Sequence, residues 1–107
     1  MSDFIQVSTA TETQDAALAL ARSAVRARLA AGAQVIGPVV SVFWHLGEYG
    51  EGQEWRLVLK TTADRYTALA AHLVEHHPWA NPELVAVPIE AGSADYLSWI
   101  RQTIEAP

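Results

Sequence analysis

The chain has 107 residues, a formal net charge of −5, 50% hydrophobic and 18% charged residues. That balance argues against disorder and for one domain over residues 1–107, which buries roughly 65% of the surface its unfolded chain exposes. With 7 Lys+Arg, 12 Asp+Glu and 0 Cys, the chain lacks the basic surface that nucleic acid or an anionic membrane needs. Disulfides, thiolate ligands and Cys nucleophiles are excluded. Met1-Ser2-Asp3-Phe4 lacks the basic and apolar regions of an export signal, and no apolar run approaches the ~20 residues of a membrane helix, so a cytoplasmic chain is expected.

In chain order, Phe4 to Thr9 predicts a strand with Ile5 and Val7 on one side. Thr11-Glu12-Thr13-Gln14 fits a capping box that starts a helix running to about Ala31. Leu18, Ala21, Val25 and Leu29 recur at helical spacing, Arg22, Arg26 and Arg28 lie opposite, and Gly32 suits the left-handed residue after the helix. Val35 to Trp44 reads as a strand bent at Gly37-Pro38. Gly47 to Gly52 reads as an exposed hairpin loop, and Glu54 to Thr61 as the returning strand. There Trp55, Leu57 and Leu59 alternate with Arg56, Val58 and Lys60. A second helix is predicted from about Ala63 to His76, a strand from Glu83 to Glu90, and a last helix from Ala94 to Ile104 with Ser93 as its N-cap.

The order βαββαβ plus a C-terminal helix is the split βαβ, ferredoxin-like α+β arrangement, with both main helices on one face of an antiparallel sheet. The other face is left bare. Several of Ile5, Val7, Val42, Trp44, Val58, Val85 and Val87 belong to it, depending on register. A large apolar sheet face does not persist in water on a monomer, so a closed, symmetric oligomer is predicted.

The densest chemistry lies in His76-His77-Pro78-Trp79-Ala80-Asn81-Pro82-Glu83-Leu84. Pro78 and Pro82 stiffen a connector that carries an imidazole and a carboxylate. His77 with Glu83 is a candidate metal pair. The competing reading is that His77 bonds a backbone carbonyl and Glu83 pairs with Lys60. His72 and His76, a turn apart, either chelate an ion or stand as solvated groups at a helix C-terminus. Lys60 either binds an anionic ligand or balances Glu83. No P-loop, dinucleotide fingerprint or Ser–His–Asp constellation is present, so no catalytic residue is assigned.

Arg28-Leu29-Ala30-Ala31, Ser41-Val42-Phe43-Trp44 with Gly47, and Glu54 with Leu59-Lys60-Thr61 form one half of a recognisable pattern. His77-Pro78-Trp79 with Pro82-Glu83-Leu84, Pro88-Ile89 and Asp95-Tyr96-Leu97-Ser98-Trp99-Ile100 complete it. Together, over about Ile5 to Ile100, they resemble the CutA divalent-cation-tolerance family. The resemblance implies a ferredoxin-like subunit in a tight homotrimer, similar in architecture to the P-II signalling proteins and associated with tolerance of copper and other divalent cations. It also implies a non-enzymatic role and an intersubunit cleft lined at Trp44, Lys60, His77, Trp79, Glu83, Tyr96 and Trp99. In that cleft His77 and Glu83 would anchor a divalent metal (copper or zinc), and Trp44, Lys60, Trp79, Tyr96 and Trp99 would hold a ligand. Family members often carry Cys just after the Leu-Ala-Ala segment, where this chain has Ala31-Gly32-Ala33, so any affinity for soft metal is expected to be weak. The family's usual Tyr after His-Pro is Trp79, which keeps a stacking surface and loses a hydroxyl. Two other functions fit the residues: a P-II-like interaction module that meets a protein partner through the Gly47–Gly52 hairpin, and a small metal-assisted hydrolase with Glu83 as base.

Overall fold

A computed structural model describes residues 3–107; Met1 and Ser2, which open the segment read for an export signal, lie outside the described residues. The elements are β1 (Phe4–Thr11), α1 (Gln14–Arg26), β2 (Gly32–His45), β3 (Glu48–Thr62), a short 3₁₀ turn (Ala63–Arg65), α2 (Tyr66–His76), β4 (Val85–Pro88) and α3 (Ala94–Glu105). The sheet order is β2-β3-β1-β4, and every neighbouring pair is antiparallel. This is the predicted split βαβ layout.

Register settles which side chains meet. Val7 stands opposite Leu59 and Ile5 opposite Thr61. Opposed residues share a sheet face, so alternation sends Ile5, Val7, Leu57 and Leu59 to the side covered by α1 and α2. There they pack with Leu20, Ala24, Leu69 and Leu73 in one core. Each Leu fully buried contributes about 1.5–3 kcal/mol relative to exposure. The other face carries Gln6, Val58 and Lys60, with Val85 and Val87 brought alongside by the β4 register. α3 crosses one end of that face, where Ile100 and Ile104 pack with Ala31, Phe4 and Leu97. Ile5 and Val7, two of the residues expected on the bare face, are therefore core residues, because pairing with Thr61 and Leu59 turns them toward the helices.

Several boundaries also differ from the sequence reading. β1 runs through Thr11, which pairs with Trp55, and its Oγ1 donates to the Thr13 carbonyl at 2.7 Å. The N-cap is Thr13, whose Oγ1 accepts from the Ala16 amide at 3.1 Å; cross-strand pairing outcompetes the capping box two residues earlier. α1 stops at Arg26, and the left-handed residue is Arg28, with φ 62°. Gly32 instead opens β2, where an added Cβ would sit 3.3 Å from Trp99 Cη2.

β2 and β3 stay paired to the end of a long arm, from Gly32↔Lys60 out to His45↔Glu48, with one bulge between Ile36 and Val39. The turn is only Leu46-Gly47, both with positive φ (52° and 80°), the geometry that two-residue hairpins favour. The expected Gly47–Gly52 loop is therefore mostly strand. β4 is shorter than the predicted Glu83–Glu90, and Glu83 lies before it. Among the described residues no helix is long and apolar enough to cross a membrane.

A cleft beneath the third helix as candidate functional site

α3 starts where Ser93 Oγ accepts from the Tyr96 amide at 3.3 Å, a short-range cap that the sequence displays openly. Helical spacing then sets Tyr96 and Trp99 side by side, rings 5.5 Å apart and tilted by 31°. Both lean over the open sheet face, because Gly32 presents no side chain to the Trp99 ring. The result is a cleft of about 250 Å³ lined by Gly32, Ala33, Gln34, Val58, Lys60, Tyr96 and Trp99. Among the described residues Lys60 forms no ion pair, so its ammonium is an available counter-charge beside two aromatic walls. The cleft suits a small ligand with a flat apolar part and an acceptor or anionic group.

Lys60, Tyr96 and Trp99 thus meet, while the other predicted site residues lie elsewhere. Trp44 is far out on the β2–β3 arm, edge-on to Tyr49 with 6.0 Å between ring centres. Trp79 leans on the His77 ring at 5.1 Å. Gln34 and Gly32 were not foreseen in the site. The signal that could have found them is the pairing of Gly32 with Lys60, which puts the gap left by a glycine next to the lysine.

His77 is buried, and both ring nitrogens are used. The Trp79 backbone N–H donates to Nδ1 at 3.0 Å, so Nδ1 is the acceptor. The N–H at Nε2 then donates to the Ala10 carbonyl at 2.7 Å. The tautomer is fixed and no lone pair is left for a metal. Pro78 explains the geometry: His77 leaves the helix with extended dihedrals, φ −74° and ψ 139°, as a residue before proline must. The imidazole therefore staples the α2–β4 connector to the end of β1.

Glu83 accepts from Arg56 Nη1 at 3.1 Å, whereas the partners of His77 are Ala10 and Trp79. The carboxylate has a cation partner, as one reading of the sequence held, but that partner is Arg56 rather than Lys60. Half-exposed pairs of this kind contribute about 0–1 kcal/mol. No cluster of three or more His, Cys, Asp or Glu suited to a metal forms among the described residues. Among the described residues of the chain, then, the donor set does not fit a resident divalent cation.

The fold and cleft define a small α+β protein with, among the described residues, a four-stranded antiparallel sheet, three α-helices and a cleft on the sheet face that the two main helices leave open. The chain belongs to the CutA1 divalent ion tolerance family, whose model matches residues 5–103. The divalent-cation tolerance protein CutA of Thermus thermophilus is 34% identical over 90 residues, spanning 84% of this chain and 87% of that protein. The crystal structure of CutA from Xylella fastidiosa superposes with a TM-score of 0.93 at 31% identity, covering 97% of this chain and 100% of the other. A CutA from Archaeoglobus fulgidus, described as periplasmic, has the same fold at 24% identity, with a TM-score of 0.92 over 95% of this chain and 99% of that one.

Proposed function

We propose that this chain is a non-enzymatic homotrimer that serves divalent-cation tolerance from the cytoplasm by binding a small ligand in clefts between its subunits. The observation that carries the reading is apolar surface that nothing covers among the described residues. Val40, Val42, Trp44 and Leu46 on the arm are 72%, 62%, 74% and 90% exposed. Val85 and Val87 beside the cleft are half exposed. Surface of this extent marks an interaction site, and a closed ring of identical subunits shields it without leaving an open end.

In that assembly the arm of one subunit lies on the sheet face of the next, so Trp44 reaches a neighbour's cleft that its own subunit keeps far away. Lys60 anchors the ligand, and Tyr96 and Trp99 wall it. Because the arm is continuous with the bare sheet face, we assign it to a second copy of the chain in preference to a different partner protein at Gly47–Gly52. A divalent cation, copper or zinc, enters only weakly and with donors from more than one subunit, since His77 is committed to Ala10 and Trp79 and Glu83 to Arg56.

Calorimetric titration with copper and zinc separates the roles. His77→Ala is expected to leave the affinity within about twofold of wild type. A tenfold loss, in a variant whose fold is verified by circular dichroism, would return His77 to the metal site.

A further inference from the structure

On the outer side of the helix layer, away from the cleft, α1 and α2 enclose an open groove of about 670 Å³ lined by Ala19, Arg22, Ser23, Arg26, Ala27 and His72. At its floor Ser23 Oγ lies 2.7 Å from His72 Nε2, a partly buried contact between residues 49 apart in sequence. Arg22 and Arg26 stand one turn apart on α1. Both are exposed, and among the described residues neither forms an ion pair. Two unpaired guanidiniums in a chain of net charge −5 are a local exception to its acidity. The C-terminal end of α1 would oppose an anion with its carbonyls, but those of Ser23, Ala24 and Val25 already accept from the amides of Ala27, Leu29 and Arg28.

We propose that this groove binds a phosphate group, free or as the end of a small phosphomonoester, held by the guanidiniums of Arg22 and Arg26 and by the Ser23 hydroxyl, which His72 orients. Guanidinium forks match phosphate oxygens with paired, charge-assisted hydrogen bonds. A His72 ring protonated beside the bound anion donates from Nε2 to Ser23 Oγ, which leaves the serine hydroxyl proton for the phosphate. A cation is the poorer occupant. The His72 and His76 rings lie 4.3 Å apart at 31°, stacked instead of converging on one point. His76 Nδ1 donates to the His72 carbonyl at 2.8 Å, and both arginines repel a metal.

The groups facing His72 are His76 and Glu75 on its own helix and Arg22, Ser23 and Arg26 on α1. Burial, then the charge of His76, holds the His72 imidazole below its ordinary pKa, while Glu75 pulls it up. A bound phosphate adds negative charge and favours the protonated ring.

The test is a heteronuclear NMR titration of the full chain at low ionic strength with inorganic phosphate, and separately with glycerol 3-phosphate. Saturable shifts of the Ser23 and Ala27 amides and the His72 ring, and an upward move of the His72 titration midpoint, are expected. Tighter binding of glycerol 3-phosphate supports an organic phosphate as ligand; equal binding supports free phosphate. Arg22→Gln should weaken binding at the groove about tenfold and Arg22→Gln with Arg26→Gln should abolish it, whereas Lys60→Ala, in the other cleft, should leave the phosphate-induced shifts of Ser23, Ala27 and His72 unchanged. Absence of saturation at millimolar phosphate would overturn the proposal. So would shifts that survive in the double variant, shifts centred on Lys60, or zinc moving the His72 and His76 resonances at lower concentration than phosphate does.

Discussion

The inner and outer halves of the β2–β3 hairpin are built alike and live differently. From Gly32 to Ile36, paired with Arg56 to Lys60, one side of the ladder lies under α1 and α2, and Leu57 and Leu59 have 0% exposure. From Val39 to His45, paired with Glu48 to Glu54, none of the residues is fully buried, and Val40, Val42 and Trp44 are exposed. Both halves pair β2 with β3, but β3 of the inner half also pairs with β1, whereas the outer half has an open edge on each strand. The halves differ most in side-chain burial: the inner half carries the stability of the fold, and the outer half carries the exposed apolar surface on which the proposed association rests.

The largest effect expected from breaking that contrast is on the inner half. Leu59→Ala leaves a cavity and should cost about 2–5 kcal/mol in urea denaturation. Val42→Asp on the outer half, opposite Glu51, should cost an isolated subunit only about 1 kcal/mol, from strand propensity and like-charge pairing, and act chiefly on oligomeric state. A comparable fall in subunit stability for both variants would erase the distinction between the halves.

His77→Ala sharpens the comparison at the connector, because it strands the Ala10 carbonyl and the Trp79 amide. A loss of about 2 kcal/mol is expected, with metal affinity unchanged; equal stability of variant and wild type would refute the staple. The smallest effect is a pH dependence at His72. Its pKa is lowered in the folded chain by burial and by His76, so the unfolded chain binds the proton more readily. The contribution is present above the unfolded value of 6.5 and is lost as pH falls through the lower folded value. Thermal unfolding of wild type relative to His72→Asn should therefore show wild type losing ground from pH 7 to 5, and parallel curves would remove the effect.

Much of this molecule is legible in its residues. Periodicity and turn chemistry locate the helices and strands in the right order, and Ser93 caps α3 as its type predicts. The misread positions are those where a distant partner decides. Thr11 stays extended because Trp55 pairs with it, and Arg28, not a glycine, takes the left-handed turn while its guanidinium donates to the Thr103 carbonyl at 3.1 Å. β1 alternates residues that either face could accept, so only its register with β3 assigns Ile5 and Val7 to the core. The same applies to the site. Lys60, Tyr96 and Trp99 are visible as candidate residues, but their meeting depends on the crossing of α3 over Gly32. His77 stands out by composition, yet its partner, Ala10, is a backbone carbonyl 67 positions away, which carries no side-chain signature.

Sedimentation velocity at micromolar concentration, with wild type and Val42→Asp run side by side, reads the assembly itself. A trimer is expected for the wild type and a folded single subunit for the variant. A wild type that sediments as a stable, soluble monomer would contradict that assembly.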